Sequence, residues 1–197
     1  IVVRLVGSEM CIRDSIDTIQ PEIIFFSEEK KHEHEILLSN KPKIKTFILD
    51  KKNQKFIDKI VKLEEDYFIE SIEEDDIASI IFTSGTTGKS KGAMITHKNL
   101  QSNAEALVNI WEINHQDVLI HALPIFHVHG LFVALNTILI SGAKMIFFQK
   151  FSPNAVIEKL NEATLMMGIP TYYSRLLSNN NFNKQQCKNI RLFISGS

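Results

Sequence analysis

The chain has 197 residues, 44% of them hydrophobic and 23% charged, and a formal net charge of −1. That balance suits one sizeable packed core, and it supplies no field that would draw nucleic acid or an acidic membrane. Only two cysteines occur, Cys11 and Cys187, with no CxxC or Cys/His spacing around them; this excludes a disulfide scaffold and a zinc finger and fits a reducing, cytoplasmic setting.

In chain order, Ile23-Ile24-Phe25-Phe26 and Thr46-Phe47-Ile48-Leu49 read as buried strands, with the charged residues 28–35 between them helical or in a loop. Residues 55–63 read as a helix, residues 64–76 as an acidic connector, and Ile77-Ala78-Ser79-Ile80-Ile81-Phe82 as a strand-like run. Residues 97–111 carry Leu100, Ala104, Leu107 and Trp111 at helical spacing behind Thr96, a candidate N-cap. Then follow a strand over 118–122, an apolar helix over 129–140, and a strand over 145–148. A helix opened by Pro153 runs to 163, and after it come a strand over 165–169, a helix over 170–177 and a strand over 192–194. Such alternation predicts an α/β fold with a largely parallel sheet and flanking helices. The most apolar stretch, residues 131–148, is broken by Asn136, Ser141, Gly142 and Lys144, so no membrane span is expected. The Asn-rich residues 179–183 read as a surface loop.

The most specific feature is the run Thr83-Ser84-Gly85-Thr86-Thr87-Gly88-Lys89-Ser90-Lys91-Gly92. Glycines let backbone N–H groups turn toward an anion, hydroxyls donate to phosphate oxygens, and lysines offset the negative charge. The nearest familiar alternative, the Walker A loop, requires a glycine where Thr83 stands, so that reading fails on spacing. The plain alternative is a Gly/Ser/Thr turn between two strands.

This loop resembles the signature of the acyl-adenylate-forming (AMP-binding) superfamily, with Ser90 where that family usually has proline. A second block, Leu123-Pro124-Ile125-Phe126-His127-Val128-His129-Gly130-Leu131-Phe132, resembles its aromatic/His motif, and the double-histidine form is most similar to the malonyl-CoA synthetase branch. Residues 168–177 (GIPTYYSRLL) and 191–197 (RLFISGS) resemble segments of that branch in the same order, so the likeness covers most of the chain from about residue 75 onward. The chain begins at Ile1 and stops at Ser197 behind an apolar run, and is expected to be an internal fragment. Residues 16–197 would then form part of the AMP-binding N-terminal domain, with the C-terminal domain absent. Residues 1–15 look like a non-native, adaptor-derived segment; the alternative is a divergent genuine N-terminus.

The resemblance implies an ATP-dependent acid–thiol ligase using Mg2+, with CoA as co-substrate and a small carboxylic acid, malonate, as the acid. The alternatives are a fatty or aryl acyl-CoA synthetase, or a nucleotide-binding fragment without turnover. It implies that Thr83, Ser84, Gly85, Thr86, Thr87, Gly88, Lys91 and Gly92 hold the phosphates, with Thr83, Lys91 and His127 in catalytic positions. It also implies that His129, Arg175 and Ser197 bind the acid's distal carboxylate, which is costly to bury unpaired and which a guanidinium can meet with two hydrogen bonds. No protein-held metal is assigned, since the HxH pair has no third ligand at suitable spacing. The two rings of that pair fall on one side only if the backbone is extended.

Overall fold

The computed structural model describes residues 2–3, 9–27, 29, 32, 38, 43–49, 70–83 and 91–196, which divide into two compact units, 1–95 and 96–197. The helix expected over 55–63 lies outside the described residues.

In the first unit, β2 (Ile23–Ser27) and β3 (Lys45–Leu49) pair in parallel, and the Phe25 and Phe47 rings stack with centroids 5.3 Å apart. Strand alternation turns Ile24 and Phe26 inward, where Ile16 of α1 (Glu9–Ile19) meets them, and leaves Ile23 and Phe25 exposed. β4 (Ile77–Thr83) lies between β1 (Val2–Val3), its parallel partner, and β5 (Lys91–Thr96). Val2 and Val3 thus pair with Ser79 and Ile80 of β4, which bears on contacts and not on the origin of residues 1–15.

The second unit is built on a parallel four-stranded sheet in the order β7-β6-β8-β9. Its strands are β6 (Val118–His121), β7 (Lys144–Phe147), β8 (Leu165–Gly168) and β9 (Leu192–Ser195). Helices cover both faces, which is why its central strands read as unbroken apolar runs. Leu119, Leu165 and Met167 face a core closed by Ile113, Ala134 and Ile138, whereas Ile120 and Met166 face one closed by Val156, Ile157, Leu160 and Leu176. Each of these large side chains, once buried, contributes about 1.5–3 kcal/mol.

Local signals set the helices. Thr96 caps α2 (His97–Ile110) in a reciprocal box: its hydroxyl accepts from the Asn99 N–H and its own N–H donates to the Asn99 side chain, both at 3.1 Å. Pro153 opens α4 (Pro153–Lys159), whose last turn tightens into a 3-10 turn over Leu160–Glu162, and Pro170 opens α5 (Pro170–Leu177). The helix expected over 129–140 takes a different form. Residues His129–Leu135 form a π-helix, and only Asn136–Ser141, α3, is α-helical. The wider turn is seated by contacts from outside the helix. A Cβ on Gly130 would lie 2.3 Å from the Pro124 carbonyl oxygen, and His121 Nε2 is 2.8 Å from the Gly130 carbonyl oxygen. Gly142, at φ +66°, then ends α3 in a left-handed turn.

Among the described residues, no helix is long and apolar enough to cross a membrane.

Candidate functional site

The strand order of the second unit contains a switch point. From β6 the chain goes to β7 on one side and then crosses to β8 on the other. In open parallel sheets such a point leaves a crevice outside the carboxyl ends of the strands, where ligands bind. The segments that carry His127 and His129 follow β6, the one that carries Arg175 follows β8, and Gly196 follows β9.

After β6 the chain turns at Pro124, whose carbonyl accepts from the His127 N–H at 3.1 Å. His127 is exposed, with its ring centroid 4.9 Å from that of Phe126. The backbone at Val128 is helical, φ −51° and ψ −45°, so the extended geometry that would align the two histidines is not met. His129 is half-buried against Gly196, where an added Cβ would stand 3.3 Å from the imidazole Cε1. Burial holds the His129 imidazole below its ordinary value of 6.5; a hydrogen bond to the Gly196 backbone opposes this, and the electrostatic interaction with nearby His121 acts in the same direction as burial. His129 is therefore a neutral imidazole at neutral pH.

His121 belongs to this site although sequence reasoning passed over it. It is fully buried at the end of β6, and since a carbonyl can only accept, its Nε2 carries the proton that bonds Gly130. Its Nδ1 is buried and has no hydrogen-bond partner among the described residues. The only signal in the sequence is a histidine closing the apolar strand Val118-Leu119-Ile120-His121.

Arg175 lies in the last turn of α5, exposed, with its guanidinium carbon 5.3 Å from the centroid of the Phe151 ring. Phe151 in turn stacks on Tyr172 at 3.9 Å with ring planes 4° apart, and the Tyr172 hydroxyl donates to the Ala122 carbonyl at 3.3 Å. Tyr173 turns toward the sheet, its hydroxyl 2.6 Å from the Ile194 carbonyl and 3.2 Å from that of Met166.

Of the phosphate-loop residues, Thr83 is the last of β4, and Lys91 and Gly92 are the first of β5. Lys91 is exposed, and a Cβ on Gly92 would come within 2.9 Å of Ile80 Cγ2, so the close approach of β5 to β4 uses that glycine. Ser84, Gly85, Thr86, Thr87, Gly88 and Ser197 lie outside the described residues. Contacts thus join His129 to the residue before Ser197, and Arg175 to Phe151 and Tyr172. Among the described residues no three His, Cys, Asp or Glu side chains form a metal-binding group.

An α/β unit with its polar residues at the carboxyl edge, preceded in the chain by a glycine- and hydroxyl-rich sequence, is the general plan of a nucleotide-using enzyme domain. The AMP-binding enzyme family matches residues 7–197, and the chain belongs to that family. It is similar to malonate–CoA ligase ACSF3, mitochondrial, of Mus musculus, 40% identical over 136 residues that span 61% of this chain and 23% of the relative. Among solved structures it resembles ATP-bound MatB from Rhodopseudomonas palustris, with a TM-score of 0.88 and 37% identity over 98% of this chain and 38% of that one. It also resembles the O-succinylbenzoate coenzyme A synthetase MenE of Bacillus subtilis in complex with ATP and magnesium ion, with a TM-score of 0.77 and 27% identity over 99% of this chain and 39% of that one. The chain spans about a quarter of the length of the curated relatives it matches. The fold is that of part of the N-terminal domain of an adenylate-forming enzyme.

Proposed function

We propose that this chain is a segment of an ATP-dependent acid–thiol ligase that activates malonate. In the first half-reaction a carboxylate oxygen attacks the α-phosphorus of ATP and pyrophosphate leaves. In the second, the CoA sulfur attacks the acyl carbon and AMP leaves. No protein nucleophile is required, so catalysis is positioning together with charge stabilisation on the phosphates. Thr83, Ser84, Thr86, Thr87 and Lys91 would hold phosphate oxygens, with Gly85, Gly88 and Gly92 giving the backbone its approach. His127 would stand where acid and thiol meet, and His129, Arg175 and Ser197 would take the distal carboxylate. Mg2+ accompanies ATP in the MenE complex, and its use here belongs to the proposal. So do a cytoplasmic site of action, supported by two cysteines far apart in the sequence, and the native segment as residues 16–197.

The observation that carries the malonate reading is Arg175. It is an exposed cation directly after the switch-point strand, and none of its N–H groups donates to a described residue. A monocarboxylic fatty or aryl acid would give that charge nothing to pair with. In the complete ligase, Arg175→Ala should lower kcat/KM for malonate about a hundredfold or more, the scale of leaving a charge desolvated and unpaired. ATP binding should be retained. Unchanged malonate kinetics would sink the assignment in favour of another acid.

A further inference from the structure

We propose that Phe151 is a positioning residue for Arg175, its ring holding the guanidinium over the end of the sheet with the N–H edge left free for a carboxylate. The inference rests on the reading of Arg175 above and adds a residue that no sequence motif marked.

An arginine at the exposed end of a short helix samples many rotamers, and fixing it on a ligand costs entropy. Here the freedom is already reduced. The Arg175 guanidinium carbon sits 5.3 Å from the Phe151 ring centroid, within the range where a cation is attracted to an aromatic face. The ring itself is fixed. It stacks on Tyr172 at 3.9 Å with planes 4° apart, and Tyr172 is tethered by its hydroxyl to the Ala122 carbonyl, just past the end of β6. Phe151 also packs on the core cluster of Ile120, Val156 and Leu176, so it is anchored to the sheet rather than to the solvent. A guanidinium carries its donors around its periphery and uses its plane for stacking, so an aromatic partner holds it without consuming a hydrogen bond. A carboxylate partner would have occupied those donors instead. Arg175 has none among the described residues.

The arrangement differs from a packing contact in what it acts on. Weakening it should alter recognition of the second carboxylate and leave ATP use and the chemical step alone. In the complete ligase, Phe151→Leu is expected to raise KM for malonate about three- to fivefold, the scale of an exposed cation–π contact. The values of kcat, KM for ATP, and KM for a monocarboxylic acid such as propionate should stay within about twofold. Phe151→Tyr should restore the malonate KM. Should Phe151→Leu lose the fold, replacement of Phe151 by mono-, di- and trifluorophenylalanine keeps the ring's shape while draining its face of charge, and KM for malonate should rise stepwise along the series.

Arg175→Ala is the control that separates the two proposals. If it raises KM for malonate while the fluorinated series is flat, the positioning role is overturned and the malonate reading stands. If Arg175→Ala leaves malonate kinetics unchanged, both fall. A rise in all three KM values together across the series would mark Phe151 as a packing residue only, and would also overturn the proposal.

Discussion

The two edges of the four-stranded sheet are built on opposite principles. At the edge where the strands begin, the polar groups are paired. Arg191 forks onto Asp117, Nε to Oδ1 at 2.9 Å and Nη2 to Oδ2 at 2.6 Å, and also donates to the carbonyls of Trp111 and Glu112. The Thr164 hydroxyl donates to Asp117 and accepts from the Val118 N–H, and the Asn114 N–H completes the carboxylate's shell. At the edge where the strands end, an imidazole nitrogen of His121 is buried without a partner among the described residues, His129 is kept neutral by burial, and Arg175 rests on a ring. Satisfied groups fix a structure. Unsatisfied ones are held ready for something else, at a cost that the first edge helps offset.

The contrast breaks most visibly through Arg191. Arg191→Ala leaves the Asp117 carboxylate buried and unpaired, and should lower the stability of this unit by about 2–3 kcal/mol, less than for a fully enclosed pair because Arg191 is partly exposed. Chemical denaturation measures this, and in the complete ligase the malonate KM should not change. A shifted KM at undiminished stability would show that the two edges are not separable.

Acid tests the same edge. Burial pushes the Asp117 carboxyl up, but the hydrogen bonds from Arg191, Thr164 and Asn114, with the guanidinium charge, outweigh it and bring it down to about 2 from an ordinary 3.8. A carboxyl depressed in the folded state stabilises fully above 3.8, and its contribution is lost as pH falls from there toward 2. Stability should drop across that window, and Asp117→Asn should flatten the drop.

The smallest effect lies at the other edge. His129 should titrate below 6.5, so protonation opposes folding once pH falls under that value. Gly196→Ala, which crowds the ring at 3.3 Å, should displace the His129 midpoint with little loss of stability. Its imidazole resonances report this, and a midpoint above 6.5 would remove His129 as a neutral donor.

How much of this was legible in the sequence depended on the distance over which each feature is specified. Strands buried on both faces announce themselves as apolar runs, and Thr96, Pro153 and Pro170 mark helix starts because each acts on its own turn. The π-helix could not be read, because its geometry rests on a seat at Pro124 and a bond from His121, nine residues away from the glycine it holds. The Asp117–Arg191 pair spans 74 residues and looks in sequence like two ordinary surface charges. For the candidate site, motifs singled out His127, His129 and Arg175 as residue types, but nothing local showed that the two histidines diverge or that Arg175 leans on Phe151. Only a ring brought in from the far side of α4 makes that arginine different from a solvated one.

Tyr173 sets a limit on the alkaline side. Burial pushes its phenol up to about 12, against an ordinary 10, so the neutral hydroxyl that bridges the Met166 and Ile194 carbonyls is the form the fold prefers. A group raised in the folded state gives its full contribution below pH 10 and loses it as pH climbs toward 12. The clasp between β8 and β9 should therefore open in base before the rest of the sheet. Amide exchange at Ile194 and Ser195 should quicken first, carrying the strand that positions Gly196 away from His129 while the acid-sensitive pair at the opposite edge stays closed.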